Sequence, residues 1–168
     1  MRIAFVGHFT THKGSQTFKE VVKRYALGHD WFIFGQIFDF DSFNEIKSNI
    51  AGSLSYSQKK LPELLQKHQI DLVLLLSNVQ ETFSRTFYEA INLEVPIIGF
   101  KVGFPGYKFP NYLGFVELSE GADGIVRKID ASSLENLKLE VQKIKSWFIP
   151  EAEERSRQKY ELIEKILK

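Results

Sequence analysis

The chain has 168 residues, 43% apolar and 14% aromatic, with 26% charged and a formal net charge of +1. That length is one domain, and the near-neutral balance excludes a strong field for nucleic acid or an anionic membrane. The absence of cysteine excludes disulfides and thiolate metal sites, and no run is long enough for a signal-peptide core or a membrane span, so a cytoplasmic domain is expected.

Residues 3–7 (IAFVG) read as a buried strand, and residues 13–27 place Phe18, Val21, Val22 and Tyr25 at helical period. Residues 31–35 (WFIFG) are a second strand, residues 42–50 a short helix and residues 53–56 a weak third strand. Residues 61–68 form a helix with Pro62 tolerated in its first turn. The clearest strand is residues 72–76 (LVLLL), followed by residues 95–100 with Pro96 at the strand start. A last strand is expected at residues 115–118 and a helix over residues 122–129. From Ser132 the chain is helical with a break at Pro150, and its charged tail carries apolar points at Tyr160, Ile163 and Leu167.

Strands that are continuously apolar are covered on both faces, which indicates a parallel sheet between helical layers. The fold class is therefore α/β, a Rossmann-like doubly wound parallel sheet with a helical C-terminal tail. Residues 1–131 are expected to form the Rossmann-like domain and residues 132–168 the helices that pack on or extend from it. Such sheets bind ligands beyond the carboxyl ends of their strands.

Between two of those strands the chain reads SNVQETFSRTFYEAINLEVPIIGF, with Glu81 and Glu89 eight residues apart. On one helix, eight residues leave two side chains about 80° apart around the axis. The two carboxylates converge only if Glu81 lies in the loop before the helix and Glu89 lies inside it. Thr82, Ser84 and Thr86 are each suitable N-caps for that arrangement. A plainer reading stays open: Thr86 and Glu89 fit a capping box, Glu81 fits a solvated loop carboxylate, and Phe83 and Phe87 fit the core.

The segment from Glu81 to Glu89 resembles the E-x7-E motif of the group 1 family of retaining GT-B glycosyltransferases. The resemblance extends to IDLVLLLS before the motif and EAINLEVPII after it. Gly7 through Lys13 and Gly14 is similar to the family's Gly-Arg…Lys-Gly loop after the first strand. Val102-Gly103-Phe104-Pro105-Gly106 stands where the family has its glycine-rich turn. The order and spacing agree from about residue 3 to residue 129, and the tail resembles the family's closing helices more loosely.

The resemblance implies one half of a GT-B fold, the half that binds a nucleotide diphosphate sugar as donor, without a metal. Lys13 would meet the diphosphate, where a mobile ammonium offsets charge growing on the leaving phosphate. Gly7 and Gly14 would shape that loop. Backbone N–H groups of Phe83, Ser84, Arg85 and Thr86 at a helix N-terminus would face the same phosphates. Glu89 would accept hydrogen bonds from both ribose hydroxyls, and Glu81 would hold the transferred sugar. Tyr56 is either a base contact or a packed aromatic.

The chain also departs from the family pattern. His8 replaces the arginine that follows the first-strand glycine, and a histidine cannot make a guanidinium's fork; Arg85 is a candidate substitute. Glu94 stands where the family has glycine before Val-Pro. Tyr107 and Lys108 replace an acidic residue after the glycine-rich turn. Asp39-Phe40-Asp41 superficially matches a D-x-D metal motif but follows the wrong strand, and the four histidines lack zinc-ligand spacing.

The length leaves room for only the donor-binding half, with the acceptor-binding half expected in a larger polypeptide or a second subunit. Bacterial surface polysaccharide synthesis is the expected setting, and peripheral membrane association is compatible with it. As an isolated half it is expected to bind a nucleotide sugar weakly and to transfer little. The competing expectation is a non-catalytic interaction or regulatory domain that keeps the fold but not the donor.

Overall fold

The computed structural model describes residues 1–25, 28–55 and 60–167, with side chains at the same positions except 152 and 159–167. Six strands, β1 (Arg2–Val6), β2 (Asp30–Phe34), β3 (Ile50–Leu54), β4 (Leu72–Leu75), β5 (Ile97–Phe100) and β6 (Phe115–Val116), form one sheet. Their order is β3-β2-β1-β4-β5-β6 and the pairings are parallel. Central β1 sets Ile3 beside Trp31 of β2 and Leu72 of β4.

The helices are α1 (Ser15–Arg24), α2 (Phe40–Ile46), α3 (Leu61–Lys67), α4 (Arg85–Asn92), α5 (Gly103–Lys108), α6 (Gly121–Ala131) and α7 (Leu134–Leu167). α1 packs against α2 and α6, whereas α4 packs against α3 and α7, which gives one helical layer on each face. The continuous apolar runs follow from this: the last four residues of β1 and β2 and all of β5 are buried on both sides. Edge strand β3, half exposed along its length, reads IAGSL instead. On the α1 side the core is a set of edge-to-face rings, with Phe18 at 5.3 Å from Phe5 and 5.7 Å from Trp31.

Several boundaries differ from expectation. α1 starts at Ser15 because Thr11–Lys13 form a 3-10 turn. α2 starts at Phe40, since the Asp39 carboxylate accepts from the Ser42 N–H at 3.1 Å and caps it. It ends at Ile46, and β3 begins at Ile50, earlier than its sequence pattern indicates. The glycine-rich segment expected as a turn forms α5, with Pro105 in the first turn where its missing N–H costs little. Residues 117 and 118 fall outside the last strand, because Glu117 and Glu120 form a capping box on a 3-10 turn.

The break expected at Pro150 is absent, and α7 runs through it. Val141, Ile144, Phe148 and Ile149 are buried, so packing fixes the direction of α7 before the proline is reached. A single proline removes one backbone hydrogen bond, and the anchored helix tolerates that loss. Tyr56 lies outside the described residues. Among the described residues, no helix is long and apolar enough to cross a membrane.

Candidate functional site

The sheet order reverses between β1 and β4, and the loops leaving these two strands diverge around a crevice. Two backbone seams position them. Gly14 has φ 88°, and a Cβ there would lie 2.2 Å from the Leu76 carbonyl oxygen, so only glycine lets the first loop press against the end of β4. The Asn78 N–H donates to the His12 carbonyl at 3.0 Å and its side-chain amide donates to the Thr11 carbonyl at 3.2 Å. Gly103, at φ 64°, approaches Glu81 so closely that a Cβ would stand 2.6 Å from its backbone nitrogen. The Phe104 N–H donates to the Glu81 carbonyl at 2.8 Å. The first turn of α5 therefore holds the Glu81 loop in place.

Glu81 lies outside α4 and Glu89 inside it, and both line one pocket of about 280 Å³. Gly7, His8, Lys13, Phe83, Arg85 and Thr86 line the same pocket. Gly14 and Ser84 shape its walls instead: Gly14 through the Leu76 seam, and Ser84 as the N-cap whose Oγ accepts from the Phe87 N–H at 3.4 Å. The first N–H groups of any α-helix have no intrahelical acceptor, and at the N-terminus of α4 those of Arg85 and Thr86 belong to lining residues. With Ser84 as the cap, Glu89 is too far into the helix to complete a capping box. Phe87 is buried between Phe109 and Phe115, whereas Phe83 is half exposed at the pocket.

The pocket's charges are paired, one pair between two loops and one along α4. The Lys13 ammonium donates to the Glu81 carboxylate, and Arg85 Nε donates to Glu89 Oε1 at 3.0 Å. Glu89 is the more enclosed partner, its side chain 13% exposed against 51% for Arg85. His8 leans edge-on against the exposed ring of Phe38, 5.3 Å between centroids. The pocket thus offers two cations and two carboxylates, with helix N–H groups at one wall. That set can hold an anion and a hydroxyl-rich ligand side by side.

Sequence reading missed Gly35, Gln36 and Ser55, which also line the pocket. They follow β2 and β3, and only the sheet order brings them to the same end of the sheet as the loop after β1. The one legible signal was that 31–35 (WFIFG) ends on glycine as 3–7 (IAFVG) does. Asp39 serves the fold rather than a metal, since besides capping α2 it accepts from Ser15 Oγ at 2.5 Å. Burial acts against its charge, but hydrogen bonds from Ser15 and Ser42 outweigh that and hold its carboxyl below the usual range. Among the described residues, no group of three or more His, Asp or Glu side chains is placed to hold a metal ion.

No protein-family model and no curated protein sequence matches the chain. Solved structures do. The C-terminal domain of a glycosyl transferase group 1 family protein from Francisella tularensis aligns over 88% of this chain and 85% of its own. Its TM-score is 0.65 at 19% identity. A glycosyltransferase from Rickettsia africae aligns over 99% of this chain at 18% identity, TM-score 0.68, and this chain spans 48% of it. A protein from Anabaena, solved in complex with UDP and glucose, aligns over 84% of this chain at 16% identity, TM-score 0.65. This chain spans 43% of that one. At these identities the likeness is one of fold: the chain has the fold of the C-terminal, Rossmann-like half of GT-B glycosyltransferases.

Proposed function

We propose that this chain is the donor-binding half of a glycosyltransferase and takes a nucleoside diphosphate sugar at the carboxyl ends of β1 and β4. The observation that carries this reading is convergence: Lys13, Glu81, Arg85 and Glu89, from two distant segments, line one pocket at the switch point of the sheet. The fold likeness supports it, as does the Anabaena structure with UDP and glucose.

In this reading Lys13 and Arg85 take the diphosphate, and the N-terminus of α4 adds backbone donors. Arg85 supplies the guanidinium that His8 cannot. Each ion pair within the pocket is partly exposed, hence worth about 0–1 kcal/mol. A charge-assisted hydrogen bond to phosphate contributes about 1.5–3 kcal/mol, so a diphosphate displaces both carboxylates from their cations. Glu89 is then released to accept from the ribose hydroxyls, and Glu81 from the sugar. No metal is required, because side-chain cations and helix N–H groups face the phosphates. A second Rossmann-like half, in the same polypeptide or a partner, completes the cleft and the transfer. Retention of configuration, a hexosyl donor, surface polysaccharide synthesis and a reducing, cytoplasmic setting belong to the same proposal.

Calorimetric titration with UDP, GDP and their sugars tests this. One nucleotide is expected to bind, and Lys13→Ala and Glu89→Ala each to weaken it roughly tenfold, the loss of one charge-assisted contact. A second reading, a regulatory domain without donor binding, is favoured by His8 in the arginine's place. It predicts no binding by any of these nucleotides at millimolar concentration. Unchanged affinity in both variants places the site elsewhere.

A further inference from the structure

Beside the donor pocket, on the other side of Glu81, lies a broader cavity of about 800 Å³ over the carboxyl ends of β5 and β6. Six of its lining residues carry functional groups: Gln80, Glu81, Thr82, Lys101, Tyr107 and Glu117. Tyr107 is 87% exposed, the most exposed large side chain among the described apolar residues. Its neighbour on α5, Lys108, is engaged elsewhere, paired with Glu151 at 3.3 Å and set over the Trp147 ring at 5.3 Å. Gly103 and Gly106 line the cavity without side chains, which leaves the Tyr107 ring standing over open space.

We propose that this cavity is a carbohydrate subsite that receives a pyranose unit of the acceptor on the face of Tyr107. The inference rests on the glycosyl-transfer reading of the neighbouring pocket. Charge decides the ligand class. Lys101 stands 3.7 Å from Glu117 and Glu81 is paired with Lys13, so among the described residues the cavity holds no unpaired cation. A cavity without surplus positive charge gives a phosphate no net attraction and admits a neutral polyol. A carboxamide, a hydroxyl, an ammonium and two carboxylates supply both donors and acceptors for ring hydroxyls. The amphipathic Tyr107 ring presents a flat apolar face to the C–H face of a pyranose. Position assigns the role: Glu81 is shared by the two cavities, so a sugar held at Glu81 has the diphosphate on one side and this cavity on the other.

Saturation-transfer difference NMR on the full chain, with methyl α-D-glucopyranoside, methyl α-D-mannopyranoside and methyl β-D-galactopyranoside as probes, tests the proposal with and without UDP or GDP. At least one glycoside is expected to give saturation transfer at millimolar concentration. Tyr107→Ala should reduce it at least fivefold, and Tyr107→Trp should retain it. Nucleotide binding should be unchanged in Tyr107→Ala, and glycoside binding unchanged in Glu89→Ala. Absence of transfer for every probe, or equal transfer in Tyr107→Ala, overturns the subsite. Loss of nucleotide binding alone overturns the donor reading, so the two failures are distinct.

Discussion

Lys13 and Glu81 neutralise each other across the pocket, and Arg85 and Glu89 do so along one face of α4. In the proposed reading each carboxylate has two roles, holding a cation and serving the ligand, and the two are separable by substitution. In Glu81→Gln the Lys13 ammonium loses its charged competitor. Binding of UDP or GDP should tighten by roughly two- to fivefold, the value of a partly exposed ion pair. The matching nucleotide sugar should gain less, because it loses a sugar contact; calorimetry on both ligands reads the difference. Asp39 yields a second prediction, about stability. Its carboxyl sits below its ordinary range because the Ser15 and Ser42 hydrogen bonds outweigh the effect of burial. A depressed carboxylate adds stability above its unfolded pKa of about 4, and that stability is lost as pH falls through the folded value. Asp39→Ala should cost about 1 kcal/mol at neutral pH, with the deficit shrinking below about pH 4, as urea unfolding at both pH values will show.

Secondary-structure elements divide by how their causes are written. β1, β2, β4 and β5 were legible because burial on both faces imposes unbroken apolar runs, and few other environments do. β3 was misplaced because an edge strand, IAGSL, needs neither apolar residues nor high propensity. α5 was unreadable for a different reason. Gly-Phe-Pro-Gly has the composition of a turn, yet Gly103 can take φ 64° and Pro105 falls in the first turn. At Pro150 the local rule was right about cost and wrong about outcome, since burial upstream holds α7 on course. Removing that cost should show: Pro150→Ala should stabilise the chain by about 1–3 kcal/mol, read as a raised thermal midpoint. An unchanged or lowered midpoint would mean that the proline helps to place the end of α7. In the site, the Glu81 and Glu89 spacing was legible, together with the condition that Glu81 lie outside the helix. Gln36 and Ser55 were not, because their place in the pocket comes from strand order and no local pattern records it.

For the molecule as a whole, the order β3-β2-β1-β4 matters most, because it sets the loops after β1 and β4 on either side of one crevice. Everything assigned to the donor lies at that carboxyl end. A groove at the opposite end, lined by Gln69, Glu94 and Val95, is also large enough for a small ligand, at about 560 Å³. Gln69 and Glu94 both adopt positive φ, 50° and 59°, because they end α3 and α4: the Ile70 and Val95 N–H groups close back onto the Leu65 and Ala90 carbonyls, an ordinary left-handed helix cap. Volume alone thus leaves both ends of the sheet as candidates, and the topology favours one. Amide chemical-shift mapping by NMR during titration with UDP and with GDP decides between them. Donor binding at the switch point predicts shifts concentrated at Gly7, Gly14, Gln36, Arg85 and Thr86. Shifts centred on Gln69, Glu94 and Val95, or none at millimolar nucleotide, would contradict it.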